Sequence, residues 1–319
     1  MADRTTGVTW FRAPTDDDPG TLNACYNALD IHVTVPRGMT VVANGRRVSR
    51  TVHGLLATTH WQAAESMAPY LAYFAAGNFA VRQGLHGDLP WYVAVSRDLP
   101  RAVRTRSMSL MERTPGVVDW LETQLGDYPF SSTGGLTTSL RPAFALENQT
   151  RPTYPVLGFG GLTIVVHELA HQWLGDSVAV ENWRDIWLNE GAATFMEVQY
   201  AATHGGRSAS AWLSSQYDTF GPDDDLWNLE IADPGRLRLF NGGVYVRGAM
   251  TLQALRQRIG DPAFWVLLRR WVGENRYGHG STPEFHALAE EVSGQDLDGF
   301  FQAWLHERTR PARTAENGL

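Results

Sequence analysis

The stretch Leu162-Thr163-Ile164-Val165-Val166-His167-Glu168-Leu169-Ala170-His171-Gln172-Trp173-Leu174 sets two histidines and a glutamate inside an otherwise apolar run. Its length and its stop at Gly175 predict a helix over residues 161–174. A helix apolar on nearly every side belongs in a protein interior. Two imidazoles and a carboxylate buried there are costly unless each has a partner. Any fold that accepts this segment must supply one, and a metal ion suits all three groups.

The spacing is that of an H-E-x-x-H. Positions i and i+4 share a helix face, so His167 and His171 can reach one ion. With 10 histidines in 319 residues, chance alone places such a pattern in roughly one comparable chain in fifty. The weight therefore comes from the apolar setting as much as from the letters. Zinc takes imidazole nitrogens at about 2.0–2.1 Å, and a catalytic site keeps three protein ligands and one open position. Glu168, beside the first ligand, is placed to act as a base on a water held there. The third ligand should be a carboxylate or imidazole from a neighbouring element. Glu190, on the next predicted helix over residues 185–202, has eighteen residues between it and His171.

HELAHQWLGDSV followed by NWRDIWLNEGAATFMEV resembles the signature of the gluzincin aminopeptidases, the family of aminopeptidase N and leukotriene hydrolase. The resemblance implies one zinc ion on His167, His171 and Glu190, with Glu168 as general base. Phe144-Ala145-Leu146-Glu147-Asn148 is similar to the family's G-x-M-E-N segment, with Phe144 for Gly and Leu146 for Met. It implies that Glu147 binds the free α-amine of a substrate. Val244-Tyr245-Val246-Arg247-Gly248-Ala249 resembles the segment whose tyrosine donates to the developing oxyanion, here Tyr245. Tyr128-Pro129-Phe130 also matches, as structure. Two further carboxylates suit the outer N–H of a ligand imidazole: Glu197, two turns beyond Glu190 on the same face, and Asp185.

The resemblance implies an α+β fold, a thermolysin-like, mainly helical catalytic domain preceded by the remnant of a β-sandwich domain. The residues themselves fit it. Residues 31–35 alternate as a strand, Val41-Val42 leads into Asn44-Gly45 as a hairpin turn, and residues 70–81 read as β. A domain boundary is expected at residues 84–87, and residues 90–95 form one more strand. Residues 107–125 are a predicted helix ending near Gly126. Asp261-Pro262 and Thr282-Pro283 start two others. The expected organisation is residues 31–86 as a partial β domain and 87–319 as the catalytic domain. Residues 1–30 are an atypical segment. Within it TLNACYNALD is similar to a stretch of acyl-CoA synthetases, so a junction near Asp30 is expected. The family's β domain normally starts more than a hundred residues earlier and includes a Gln that helps bind the amine. The expectation is an N-terminally truncated member that also lacks the C-terminal helical domain of longer relatives.

Composition removes several classes. The formal charge of −7, with no Lys/Arg block, argues against nucleic acid as a partner. No apolar run approaches the roughly 18 residues of a membrane span. Cys25 is the single cysteine, which rules out an intramolecular disulfide and fits the cytoplasm; a secreted protein fits if a leader lies upstream. Peptide substrates are the expected partners. A zinc endopeptidase, another zinc hydrolase, and a non-catalytic fragment serving as a binding module are the competing readings.

Overall fold

The computed structural model describes residues 9–10, 28–140, 142–158 and 160–319. Most of the atypical segment 1–30, with Cys25, lies outside them. The described chain divides into two compact units, one of residues 9–10, 28–122 and 127–172, the other of residues 123–126 and 173–319.

The first unit holds three sheets. Strands β2 (Leu29–Pro36), β5 (Leu56–Ala63) and β4 (Arg46–His53) form an antiparallel sheet in that order. β1 (Thr9–Trp10), β6 (Tyr73–Gly77) and β3 (Thr40–Ala43) form a second. The third runs β7 (Phe79–His86), β8 (Leu89–Ser96), β9 (Thr133–Thr137) and β10 (Thr153–Tyr154), antiparallel at β7–β8 and parallel beyond. β2 confirms the predicted strand: Leu29, Ile31, Val33 and Val35 are half-buried and the residues between them exposed, as period-two alternation requires. Helix α1 (Arg101–Met111) packs on β8, β9 and α3 (Gly161–Ala170); α2 (Thr114–Leu125) follows it.

Asn44-Gly45 is not the hairpin turn expected. β3 pairs with β6 and β4 with β5, so the dipeptide carries the chain from one sheet to another. Gly45 does take the positive φ, 78°, that the signal promised. Asn44, however, is fully buried, donating to the Leu71 and Gln149 carbonyls at 3.0 and 2.8 Å and accepting from the Tyr73 N–H at 2.7 Å. An asparagine committed to three tertiary bonds fixes where the chain turns, and the strands leave it in different directions. The tight hairpins are elsewhere, at Gly54-Leu55 and at Gly87-Asp88. The expected boundary at residues 84–87 therefore lies in a hairpin within one sheet. A break in compactness falls instead between Gln172 and Trp173.

The single helix expected over residues 107–125 is two. Pro115 has no N–H, and its ring excludes a helical carbonyl four residues before it, at Met111. α1 ends at that residue. Residues 70–81 are likewise broken, into a 3₁₀ turn Pro69–Leu71, β6 and the start of β7.

The second unit is mainly helical: α4 (Trp187–Thr203), α5 (Ala209–Thr219), α6 (Gly242–Ile259), α7 (Asp261–Glu274), α8 (Thr282–Ser293) and α9 (Asp298–Phe301). A parallel pair, β11 (Val178–Val180) and β12 (Gly278–Gly280), joins it. The proline-marked starts hold, each with its cap one residue earlier than expected: Gly260 for α7 and Ser281 for α8. Ser281 and Glu284 form a reciprocal capping box. Arg247 of α6 is fully buried and donates all five of its N–H groups to carbonyls: Trp304, Trp227, Leu229, Ala303 and Glu307, at 2.7–3.1 Å. Burial lowers its pKa to about 10, still charged at neutral pH. Among the described residues no helix is long and apolar enough to cross a membrane. The mixed architecture, β followed by helical, is the α+β class expected.

Candidate active site

In the first unit, α3 delivers the motif. It ends one turn short of the expected helix, at Ala170, yet His171 keeps helical angles (φ −57°, ψ −25°) and donates its N–H to the His167 carbonyl at 3.2 Å. The i, i+4 relation survives, and the two rings meet edge to face with centroids 4.7 Å apart. His167, Glu168 and His171 are 8, 5 and 1% exposed. Three ionisable groups are thus withdrawn from water on one apolar helix.

Gln172 ties this helix to the segment that carries Glu147. Its amide nitrogen donates to the Glu147 carbonyl at 3.1 Å and to the Glu168 carbonyl at 3.3 Å, while its oxygen accepts the Thr150 N–H at 2.7 Å. Thr150 holds φ at 68°, costly for a β-branched residue and tolerated only where the surroundings fix it. The fully buried neighbour Asn148 donates to the Leu71 carbonyl at 3.0 Å and accepts from the Thr153 hydroxyl at 3.0 Å. Glu147, half-buried, leaves this strained turn with its backbone set. Sequence reasoning missed Gln172, and nothing marks it there except its place after His171. Tyr154 is also fully buried in this unit; burial first, then the Glu168 carboxylate, push its phenol well above its ordinary range. It therefore remains protonated beside the proposed base.

In the second unit Glu190 occupies the first turn of α4 and is 5% exposed. A carboxylate there is favoured by the helix dipole. The start of α4 is anchored: the Trp187 indole N–H donates to the Thr282 hydroxyl at 2.9 Å, and Asp185 accepts the Thr282 N–H at 3.0 Å. Asp185 thus takes up the first N–H of α8, whose cap is Ser281, a different job from the imidazole-holding one expected. It sits in a 3₁₀ turn, Trp183–Asp185, before α4 rather than on it. Glu197 lies two turns on from Glu190, half-buried, and Tyr245 is half-buried near the start of α6.

What sets α4 against α6 is a pair of glycines. A Cβ on Gly191 would fall 2.7 Å from the Gly248 Cα, and one on Gly248 would fall 2.8 Å from the Gly191 Cα. Neither contact is possible without moving a backbone. Gly191 follows Glu190, and Gly248 is one turn beyond Tyr245, so this crossing fixes both side chains relative to each other. Gly248→Ala is expected to destabilise the protein by about 1–3 kcal/mol, the usual overpacking cost. Urea unfolding reads the change, and a variant as stable as the parent would show that the helices separate freely.

In the first unit Gln172 links the Glu147 and Glu168 carbonyls next to His171, and in the second Glu190 and Glu197 lie on α4 and Tyr245 on α6. Residues 160–304 match the peptidase family M1 domain. Over that segment the chain is similar to the M1 peptidases. The M1 match takes in both histidines, Glu168, Glu190, Glu197 and Tyr245; Glu147 precedes it.

Among M1 relatives, aminopeptidase N of Streptomyces lividans is 32% identical over 151 residues, 44% of this chain and 18% of its own length. Tricorn protease-interacting factor F2 of Thermoplasma acidophilum is 23% identical over 273 residues, 77% of this chain and 33% of its own. Among solved structures, the M1 zinc metallopeptidase of Deinococcus radiodurans superposes with a TM-score of 0.79 at 25% identity. That match covers 89% of this chain and 64% of the other. The chain thus spans a third or less of these two curated relatives.

Proposed function

We propose that the chain is a zinc aminopeptidase, hydrolysing peptide bonds at free N-termini, with one zinc ion on His167, His171 and Glu190. The observation that carries the reading is the burial of His167, Glu168 and His171 together on α3. Each of the three proposed ligands offers one donor atom, two imidazole nitrogens and a carboxylate oxygen. That set suits zinc, and a catalytic zinc site needs three protein ligands. When bound, zinc supplies Lewis acidity, making a water acidic and polarising a carbonyl.

The chain's own residues supply the rest. Glu168 takes a proton from the attacking water and returns it to the leaving amine. The Tyr245 hydroxyl donates to the oxygen on which negative charge develops, a contact stronger in the transition state than in the substrate. Glu147 holds the protonated α-amine through a charge-assisted hydrogen bond and so sets which peptide bond is reached. Glu197 is the remaining candidate to hold the outer N–H of a ligand imidazole.

Selectivity for a free amine separates this reading from a zinc endopeptidase. A half-buried carboxylate that expects an ammonium loses its partner when the N-terminus is acetylated. Free-amine substrates should be cleaved about 10–100-fold faster than their acetylated versions, the worth of a hydrogen bond to a charged group. Glu147→Ala should erase most of that ratio, measured as kcat/KM on paired fluorogenic peptides. Equal cleavage of the two by the parent protein would leave an endopeptidase.

A further inference from the structure

We propose a second metal site, on the outer face of the first unit's antiparallel sheet, built from Asp30, His32 and His60 and suited to a divalent late-transition ion such as zinc. None of these residues belongs to the M1 match, which begins at residue 160.

The register makes the site. His32 of β2 lies directly opposite His60 of β5, and Asp30 lies two residues before His32. Side chains two apart on a strand share a face, and directly opposite residues are nearest neighbours across the ladder. Asp30 and His32 are exposed in the alternation of β2, and His60 is half-buried beside them. The two imidazoles stack nearly parallel, with centroids 4.0 Å apart and planes 13° from each other. The His60 Nε2 is 2.5 Å from the Asp30 carboxylate. One ligand atom from each of the three residues lies within 4.8 Å of the other two.

The rings lie in near-parallel planes with centroids 4.0 Å apart, so one of them must swing out of the stack for both in-plane lone pairs to meet one ion. Zinc at about 2.0–2.1 Å from each nitrogen needs them roughly 3.4 Å apart with the ring planes opened from the stack, a movement left free to the exposed His32. The ion takes the place of the hydrogen bond between His60 and Asp30, and both side chains become ligands. Imidazole-rich sets favour zinc, copper and nickel over calcium and magnesium. A second carboxylate-bearing cluster, His286, Glu290 and Asp298, has one imidazole, and its Glu290 already accepts the Leu297 N–H at 2.8 Å.

The test counts metal in the full chain. Parent protein and a His32→Ala/His60→Ala double variant are equilibrated against the same dilute zinc chloride, and bound zinc is measured. The parent should hold about one equivalent more than the variant, and zinc should raise the parent's Tm by an increment the variant lacks. Cleavage of an aminoacyl amide should be the same in both. Because the readout is a difference, it holds whether or not His167, His171 and Glu190 carry zinc. Identical zinc content and identical zinc response in the two would overturn the second site. If the double variant does not fold, His32→Gln alone should lose the same equivalent, and full retention there overturns it equally.

Discussion

Glu168→Gln is expected to cut kcat on an aminoacyl amide by about 10²–10⁴-fold, the range for loss of a positioned acid–base group, while zinc content stays at the parent's level. Glutamine keeps the shape and one hydrogen-bonding oxygen but cannot take a proton. Its neighbour His167 is unaltered, so a fall in kcat with little change in KM isolates proton transfer from binding. The surroundings sharpen the expectation. Glu168 is 5% exposed, so no bulk water stands ready to replace it as base. Single-turnover assays with metal analysis on the same sample decide the matter. A variant with near-parental turnover would remove Glu168 from the reaction and, with it, the mechanism proposed for this chain.

Arg247→Met carries the largest expected loss of stability, about 3–5 kcal/mol, the scale seen when one side of a buried charged network is removed. Methionine fills much of the volume but leaves five carbonyls, from Trp227, Leu229, Ala303, Trp304 and Glu307, without their donor. Those carbonyls belong to the loop before α6 and to the π-helical turn Gln302–His306 with the residue after it. Arg247 is therefore the node that holds α6, and Tyr245 two residues earlier, against the end of the second unit. Arg247→Lys should recover only part of the loss, since an ammonium has three donors at one point and not five spread over a plane. Urea unfolding followed by tryptophan emission measures it. A loss under about 1 kcal/mol would mean that solvent reaches those carbonyls and satisfies them.

The parts of this protein that the sequence alone determined are those set by local rules. H-E-x-x-H on an apolar run fixes a buried helix with two imidazoles on one face, because helical periodicity needs no information from elsewhere in the chain. Alternation fixed β2, and proline with its capping residues marked α7 and α8 to within one residue. The long W-L-N-E-G and H-E-x-x-H pair carries the resemblance to the gluzincin aminopeptidases, and the segment that matches the M1 domain contains both. Pro115 is legible too, since its ring clashes with the Met111 carbonyl and breaks the helical period around it.

Tertiary structure decided what depends on distant partners. Asn44-Gly45 keeps the backbone of a hairpin turn, but Leu71, Gln149 and Tyr73 claim the asparagine and send β3 and β4 to different sheets. Asp185 reads as a ligand's support and holds the first turn of α8 instead, since Thr282, almost a hundred residues on, offers it an N–H. Gln172 looks like one more residue after a motif until its amide is seen joining Glu147, Thr150 and Glu168. The Gly191–Gly248 crossing and the stacked pair His32 and His60 are of the same kind. A period along the chain tells which face a side chain takes, whereas the partner that face meets is chosen by long-range packing, where hydrogen bonds and close backbone contact outweigh local preference.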